Sequence, residues 1–302
     1  MATPESSRRV SNAKATETKT KLDKRHMLRF TASPLTLDCH GETMTLKRLA
    51  LSFCLVLIPF SAHSQQPAIQ DPQAVALVAK AMAALTGATG VNDITLTGTA
   101  TRTAASDVES GTVVLKALGT TDSRMDLSLS NGTRHEVRNY SSSAPQGSWI
   151  GLDGSPHSMS MHNCMTDAAW FAPQLSVLSQ LSNPNLIVSY IGQENRAGAA
   201  VQHLQFALQS PSTDPTGLFQ RLSVEEVYLD ASTLLPVALA FTTHPDNDAG
   251  VNIPVEIDFS NYRQVNGVQI PFHVQKFFNG TLFLDVTVQS AVLNSGIPPS
   301  DF

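Results

Sequence analysis

From residue 94 onward, apolar and polar residues alternate with a period of two through most of the chain. "ITLTGTAT" (94–101), "GTVVLKAL" (111–118) and "RMDLSLS" (124–130) are short, rich in β-formers and separated by Asp, Gly and Ser clusters, so each predicts a strand. "RHEVRNY" and "GSWIGLDG" extend the series, followed later by "NLIVSYIGQE", "AVQHLQFAL", "LSVEEVYLD", "PVALAFTTH", "VEIDFSNY", "VQIPFHVQKF" and "TLFLDVTVQSAVL". In the last, Leu282, Leu284, Val286, Val288 and Val292 share one face while Asp285, Thr287 and Gln289 take the other. One apolar face at period two means an antiparallel sheet covered on one side. About 11–13 such strands with hairpin-length gaps predict a single meander, and sheets of that size curl rather than stay flat.

Two stretches break the pattern. Between Asp71, a good N-cap followed by Pro72, and Gly87, the residues Val75, Val78, Met82 and Leu85 recur at helical spacing and predict an amphipathic helix. "TDAAWFAPQLSVLSQLSNP" (166–184) opens on a capping Thr166-Asp167 and spaces Leu175, Leu178 and Leu181 as a helix does, with Pro173 dividing it into two short pieces. Pro271 raises a different question, because it stands inside a strand that otherwise alternates cleanly. Proline cannot donate to a ladder, so it predicts an edge, a bulge or an interruption there.

The first 64 residues change the picture. "MTLKRLALSFCLVLIPFSAHSQQ", from Met44, has a basic start at Lys47 and Arg48, an apolar core from Leu49 to Phe60 and a small-x-small site at Ala62-His63-Ser64. These are the parts of a secretory signal peptide with cleavage after Ser64. Its twelve apolar residues fall short of the roughly 20 that span a bilayer. The expected organisation is a polar, disordered or mis-assigned extension at 1–43, a signal peptide at 44–64, and one β domain at 65–302. Residues 65–302 hold ten basic and twenty acidic side chains, a net charge of about −10. That balance argues against nucleic acid and against charge-driven binding to anionic lipid headgroups. Cys39 and Cys54 fall outside this part, so Cys164 has no partner for an intrachain disulfide.

Sequence patterns of catalysis are missing: there is no G-x-S-x-G elbow, no HExxH, no phosphate-binding glycine loop and no paired-cysteine knuckle. The expectation is no enzyme and no cofactor. "GSPHSMSMHNCM" (154–165) places His157, Met159 and Met161 on one side if it is a strand, a set suited to copper in an exported protein. The plainer reading is an apolar face beside a turn. Trp149, Met159, Met161, Trp170, Phe171 and Leu178 form the candidate apolar groove, since methionine and aromatic walls adapt to flexible ligands; as plain core residues they would instead fill the barrel.

In its order of elements the chain resembles the LolA/LolB-like periplasmic lipoprotein carriers. The closest likeness lies in "YLDASTLLPV" (228–237) and in "FSNYRQVNGVQIPFHV" followed by "VLN" (292–294) and Phe302. The resemblance implies a mainly β fold: an unclosed antiparallel half-barrel with an N-terminal helix and a short helical insertion covering its concave face. It also implies a monomeric carrier in the periplasm whose partner is a lipid or an acylated protein, with an envelope protein as a further partner. Those carriers place an arginine after an early "x-V-K"; here Lys116 is followed by Ala117, and Arg124 is the nearest arginine by position. The other readings are an envelope scaffold with a filled core and a copper-binding protein.

Overall fold

The computed structural model describes residues 68–141 and 144–302. The expected signal peptide and the extension before it lie outside the described residues.

Among the described residues, one long helix, one short helix and thirteen strands make up the fold. Helix α1 (Pro72–Thr86) starts where the sequence places it: Asp71 accepts from the Gln73 N–H at 2.8 Å, and Gly87 closes it at φ 57°. Ala74, Val78, Ala81 and Leu85 form its buried stripe, which packs against the sheet. The strands are β1 (Asp93–Ala104), β2 (Asp107–Leu118), β3 (Asp122–Leu129), β4 (Gly132–Ser141), β5 (Ala144–Ile150), β6 (Pro156–Met159) and β7 (Leu186–Arg196). They continue as β8 (Ala199–Leu208), β9 (Glu225–Asp230), β10 (Pro236–Thr243), β11 (Ile253–Val265), β12 (Val268–Phe278) and β13 (Thr281–Leu293). A short helix, α2 (Leu218–Leu222), lies between β8 and β9.

All thirteen strands join one antiparallel sheet in the order β6-β5-β4-β3-β2-β1-β13-β12-β11-β10-β9-β8-β7. Because β1 pairs with β13, the meander folds back on itself while β6 and β7 remain edges. The sheet is an unclosed half-barrel, as the resemblance implies, built from the antiparallel meander that the alternation predicts. Its inner face carries the core, with Leu96, Leu115, Leu204, Leu229, Ile257, Ile270 and Val286 all essentially inaccessible.

Each edge is blunted in its own way. Strand β6 is only four residues long and begins with a proline. At β7, residues 69–71 lie alongside: the Val188 N–H donates to Ile69 O at 3.2 Å and the Asp71 N–H to Val188 O at 2.9 Å. The start of α1 therefore covers that edge.

The prolines follow the same logic. Pro236 opens β10 and Pro254 is second in β11. Pro271 pairs with Tyr262 of β11, but β12 and β13 pair only from His273 onward. The missing donor thus sits where β12 has a partner on one side only.

Two family-like turns are held by carboxylates. Asp230 Oδ1 accepts from the Ser232 and Thr233 N–H groups at 3.0 and 2.8 Å, fixing the Leu-Leu-Pro turn that starts β10. Asp93 accepts from the Ser295 and Gly296 N–H groups at 2.8 and 2.9 Å, and anchors the chain after "VLN".

Candidate functional site: the cap across the open seam

The connection from β6 to β7, residues 160–185, runs from one free edge of the half-barrel to the other. It contains the expected helical break, in tighter form. The stretch makes 3-10 turns at Met161–Asn163, Pro173–Leu175 and Val177–Gln180, and no α-helix. Pro173 begins one turn, which the Ser176 N–H closes by donating to Pro173 O, and Ser176 Oγ caps the next by accepting from the Leu178 N–H at 3.3 Å, so no continuous i→i+4 ladder forms. Asp167 acts as a cap after all, but at a distance: its Oδ2 accepts from the Val177 N–H at 2.9 Å.

Side chains tie this cap to the opposite side of the barrel. Asn163 Nδ2 donates to His244 O at 2.8 Å, and its Oδ1 accepts from the His244 N–H at 2.8 Å, so one side chain mimics a strand partner beyond the end of β10. Ser160 Oγ donates to Asp246 O at 2.8 Å, and His162 Nε2 donates to Pro245 O at 3.1 Å. On β5, Gly147 lets the cap come close: a Cβ there would meet Met159 Sδ at 3.0 Å and Cys164 Sγ at 3.1 Å.

Two buried carboxyls lie beneath the cap. The Asp167 N–H donates to Glu225 Oε1 at 2.9 Å, and both residues are almost fully buried. Burial, reinforced by the charge of Asp167, pushes the Glu225 carboxyl well above its ordinary range. Burial pushes Asp167 up to about 6. Among the described residues, the buried Glu225 Oε2 has no hydrogen-bond partner.

A cavity of about 620 Å³ opens beside this pair. One wall comes from the β6 end of the sheet (Tyr140, Pro145), another from the β7 end (Leu186, Leu208), and the cap contributes Met165 and Val177. The cavity lies in the seam, where a closed barrel would have continued its ladder.

The six expected groove residues separate into three places. Trp170, Phe171 and Leu178 are at most 2 % exposed and belong to the main core beneath the cap. Met161 lines the seam cavity and is otherwise exposed. Trp149 and Met159 line a second, smaller cavity inside the barrel, where Trp149 stacks on His157 at 4.1 Å between centroids. The copper alternative is divided in the same way. His157 bonds Asp153 Oδ2 at 3.2 Å, and Met159 and Met161 face different cavities. Among the described residues, no group of three or more His, Cys, Asp or Glu side chains is arranged to hold a metal ion. Cys164 is buried and unpaired.

Several site residues were not singled out from the sequence: Asn163, Glu225 as the partner of Asp167 (itself read as a cap), and the interior cations Arg138 and Lys276. For three of them a signal exists. Glu225 stands in phase with Val227 and Leu229, and Lys276 with Ile270, Phe272 and Val274, on apolar inner rows. Arg138 is reached by register, since Ala117 pairs with Ser123 and Ser123 with Arg138. It occupies the face of Ala117, whereas Arg124 pairs with Lys116 on the other face, where both hold Asp301.

The fold has counterparts among solved structures. A domain from Vibrio parahaemolyticus described as an outer-membrane lipoprotein-sorting protein aligns over 76% of this chain and 95% of its own, at 13% identity and a TM-score of 0.50. A DUF1329 family protein from Desulfovibrio piger aligns over 76% and 95%, at 10% identity and a TM-score of 0.49. A LolA superfamily protein from Nitrosomonas europaea aligns over 76% and 96%, at 12% identity and a TM-score of 0.45. The first likeness shows a shared fold; the other two are looser. No protein-family model and no curated protein matches the chain in sequence.

Proposed function

We propose that the protein is an exported carrier of an apolar ligand in the cell envelope, taking an acyl chain, a lipid or the lipid moiety of a lipoprotein into the seam cavity. The observation that carries this reading is the cavity itself. Its volume of about 620 Å³ lies within the roughly 300–1,000 Å³ usual for small-ligand sites. Its wall combines methionine, leucine, valine and proline side chains with a polar rim, and its roof is a segment of short turns. The fold shared with a lipoprotein-sorting domain supports the same reading.

The chamber proposed here lies at the seam, displaced from the aromatic residues expected to form it. Trp170, Phe171 and Leu178 fill the space under the middle of the cap, so Met161, Met165, Val177, Leu186 and Leu208 are the proposed contacts. The reading requires no reaction: each methylene moved from water into such a wall gains about 0.8 kcal/mol. Export through the segment at 44–64 would deliver the protein to the periplasm.

Native mass spectrometry of the protein isolated from a bacterial periplasm tests this. We expect an adduct in the mass range of acyl lipids that organic extraction removes. A bare polypeptide mass under conditions that preserve the fold contradicts it.

A further inference from the structure

The second cavity, about 180 Å³, is too small for an acyl chain and differently equipped. It lies between the inner faces of β4–β6 and β10–β12, with Trp149, Met159, Phe241, Val255 and Phe278 as apolar wall. Two cations line it: Arg138 and Lys276, only 7% and 5% exposed. One carboxylate answers them directly. Arg138 Nε donates to Glu136 Oε1 at 3.2 Å.

The remaining donors have no anion. Arg138 Nη1 is buried and has no hydrogen-bond partner among the described residues. Lys276 forms no ion pair among the described residues; its Nζ lies 4.4 Å from the centroid of the Trp170 ring and 5.3 Å from that of Phe278. Other acids lie nearby without bonding either cation: Asp246 lines the same cavity, and the charge of Arg138 acts on Asp167 and Glu225. Asp246 stands exposed at the rim, accepting from Ser160 and Asn163. Asp167 and Glu225 line the larger cavity, and Asp167 is bound to the Val177 N–H. A buried Arg138 Nη1 without a partner and a buried Lys276 without an ion pair, with one carboxylate bonded directly, make an unfavourable arrangement that a further anion would relieve. Burial drives Lys276 down to about 8, against the pull of Glu136 and with the push of Arg138.

We propose that Arg138 and Lys276 bind one oxyanion, a carboxylate or phosphate, as the head of the amphiphile whose chain occupies the seam cavity. Consecutive residues of the cap reach the two cavities, Asn163 lining the smaller and Cys164 the larger. Arg138 offers the free edge of a planar fork, and Lys276 a point charge that needs no fixed direction. The inference rests on the carrier reading for the tail alone; the oxyanion site stands on the two cations.

The test titrates the full domain at pH 7 with dodecanoate, methyl dodecanoate, butyrate and inorganic phosphate. Tryptophan emission is the readout, because Trp149 lines the cavity and Trp170 touches Lys276. Dodecanoate should bind at least about tenfold tighter than its ester, equivalent to about 1.4 kcal/mol. Lys276→Met, which keeps the stem and removes the charge, should bring that ratio close to one, with Lys276→Gln as a second variant should the first fail to fold. Lys80→Met on the exposed face of α1 should leave the ratio as it is. Saturable binding of butyrate or phosphate, lost in Lys276→Met, would identify a free oxyanion as the source and keep the site. If phosphate binds and neither dodecyl compound does, the carrier reading fails and the oxyanion site stands. Equal affinities for acid and ester overturn this inference while leaving the carrier reading intact, and so does a ratio unchanged by Lys276→Met. Absence of binding by all four compounds overturns both.

Discussion

Asp167 and Glu225, 58 residues apart, meet beneath the cap through a 2.9 Å hydrogen bond from the Asp167 N–H to Glu225 Oε1. Both carboxyls hold their protons more tightly in the fold than in the open chain. The native state therefore binds more protons than the unfolded one from about pH 4 upward, and stability is lost as pH rises through about 6 and beyond. Glu225→Gln keeps the acceptor and removes the charge. It should be more stable than the natural protein at pH 8 and nearly equal to it at pH 4. Urea midpoints at the two pH values check this, and a variant less stable at pH 8 would count against the buried acid pair.

Asn163 is the side chain that spans the gap between the cap and the end of β10. Asn163→Ala removes both bonds to His244 and the one from Thr243 Oγ1 at 2.9 Å. We expect a loss of about 1–3 kcal/mol, with the cap loosening before the sheet does. Cys164, next along the chain and 8% exposed, reports this directly: its rate of alkylation under native conditions should rise at least about tenfold. An unchanged rate would mean that the cap is held mainly by its apolar underside.

Trp170 belongs to that underside. At 2% exposure, packed edge-on to Phe171 at 5.4 Å between centroids and lying beneath Lys276, it behaves as core. Trp170→Ala should cost about 3–5 kcal/mol, read as a lower urea midpoint with an unchanged slope. A loss below about 1 kcal/mol would show that the ring has room to move and that the groove extends under the cap.

The strands and α1 were legible because each rests on a local rule: alternation for the sheet, and Asp71, Pro72 and Gly87 for the helix. Pro271 was also legible as an interruption, although the strand pairing that explains it depends on β13 leaving β12 at His273. The cap was only half legible. Leucine spacing over 175–181 is shared by an α-helix and by tight turns over a core, and the choice was made by Pro173, Ser176 and the remote bond from Asp167 to Val177. The polar interior was partly hidden, for another reason. Glu225 and Lys276 stand in phase with the apolar rows of their own strands, whereas Arg138 looks like an ordinary surface charge until register places it on the inner face, which no single segment reveals. Trp149 and Trp170 stand near each other in sequence, yet the first lines the small cavity and the second fills the core. Composition identified apolar material but could not say which of it would be left uncovered.

The seam cavity should also discriminate by chain length. Straight-chain alcohols carry no charge, so they probe the apolar wall alone. Each added methylene should tighten binding about fourfold, from about 0.8 kcal/mol per methylene, until the cavity is full and the gain stops. Affinity independent of length would mean that the chain stays in water.

The most direct measurement is saturable binding of the neutral apolar dye N-phenyl-naphthylamine to the natural protein and to Ala168→Phe. Ala168 is a buried cap residue on the wall of the seam cavity, so a phenyl group there takes up ligand space. The account predicts one site in the natural protein, displaced by long-chain alcohols. It predicts at least about tenfold weaker binding in the variant with little change in melting temperature. Dye binding that is not saturable, or is equally tight in Ala168→Phe, would contradict the claim that the seam is where this protein holds its ligand.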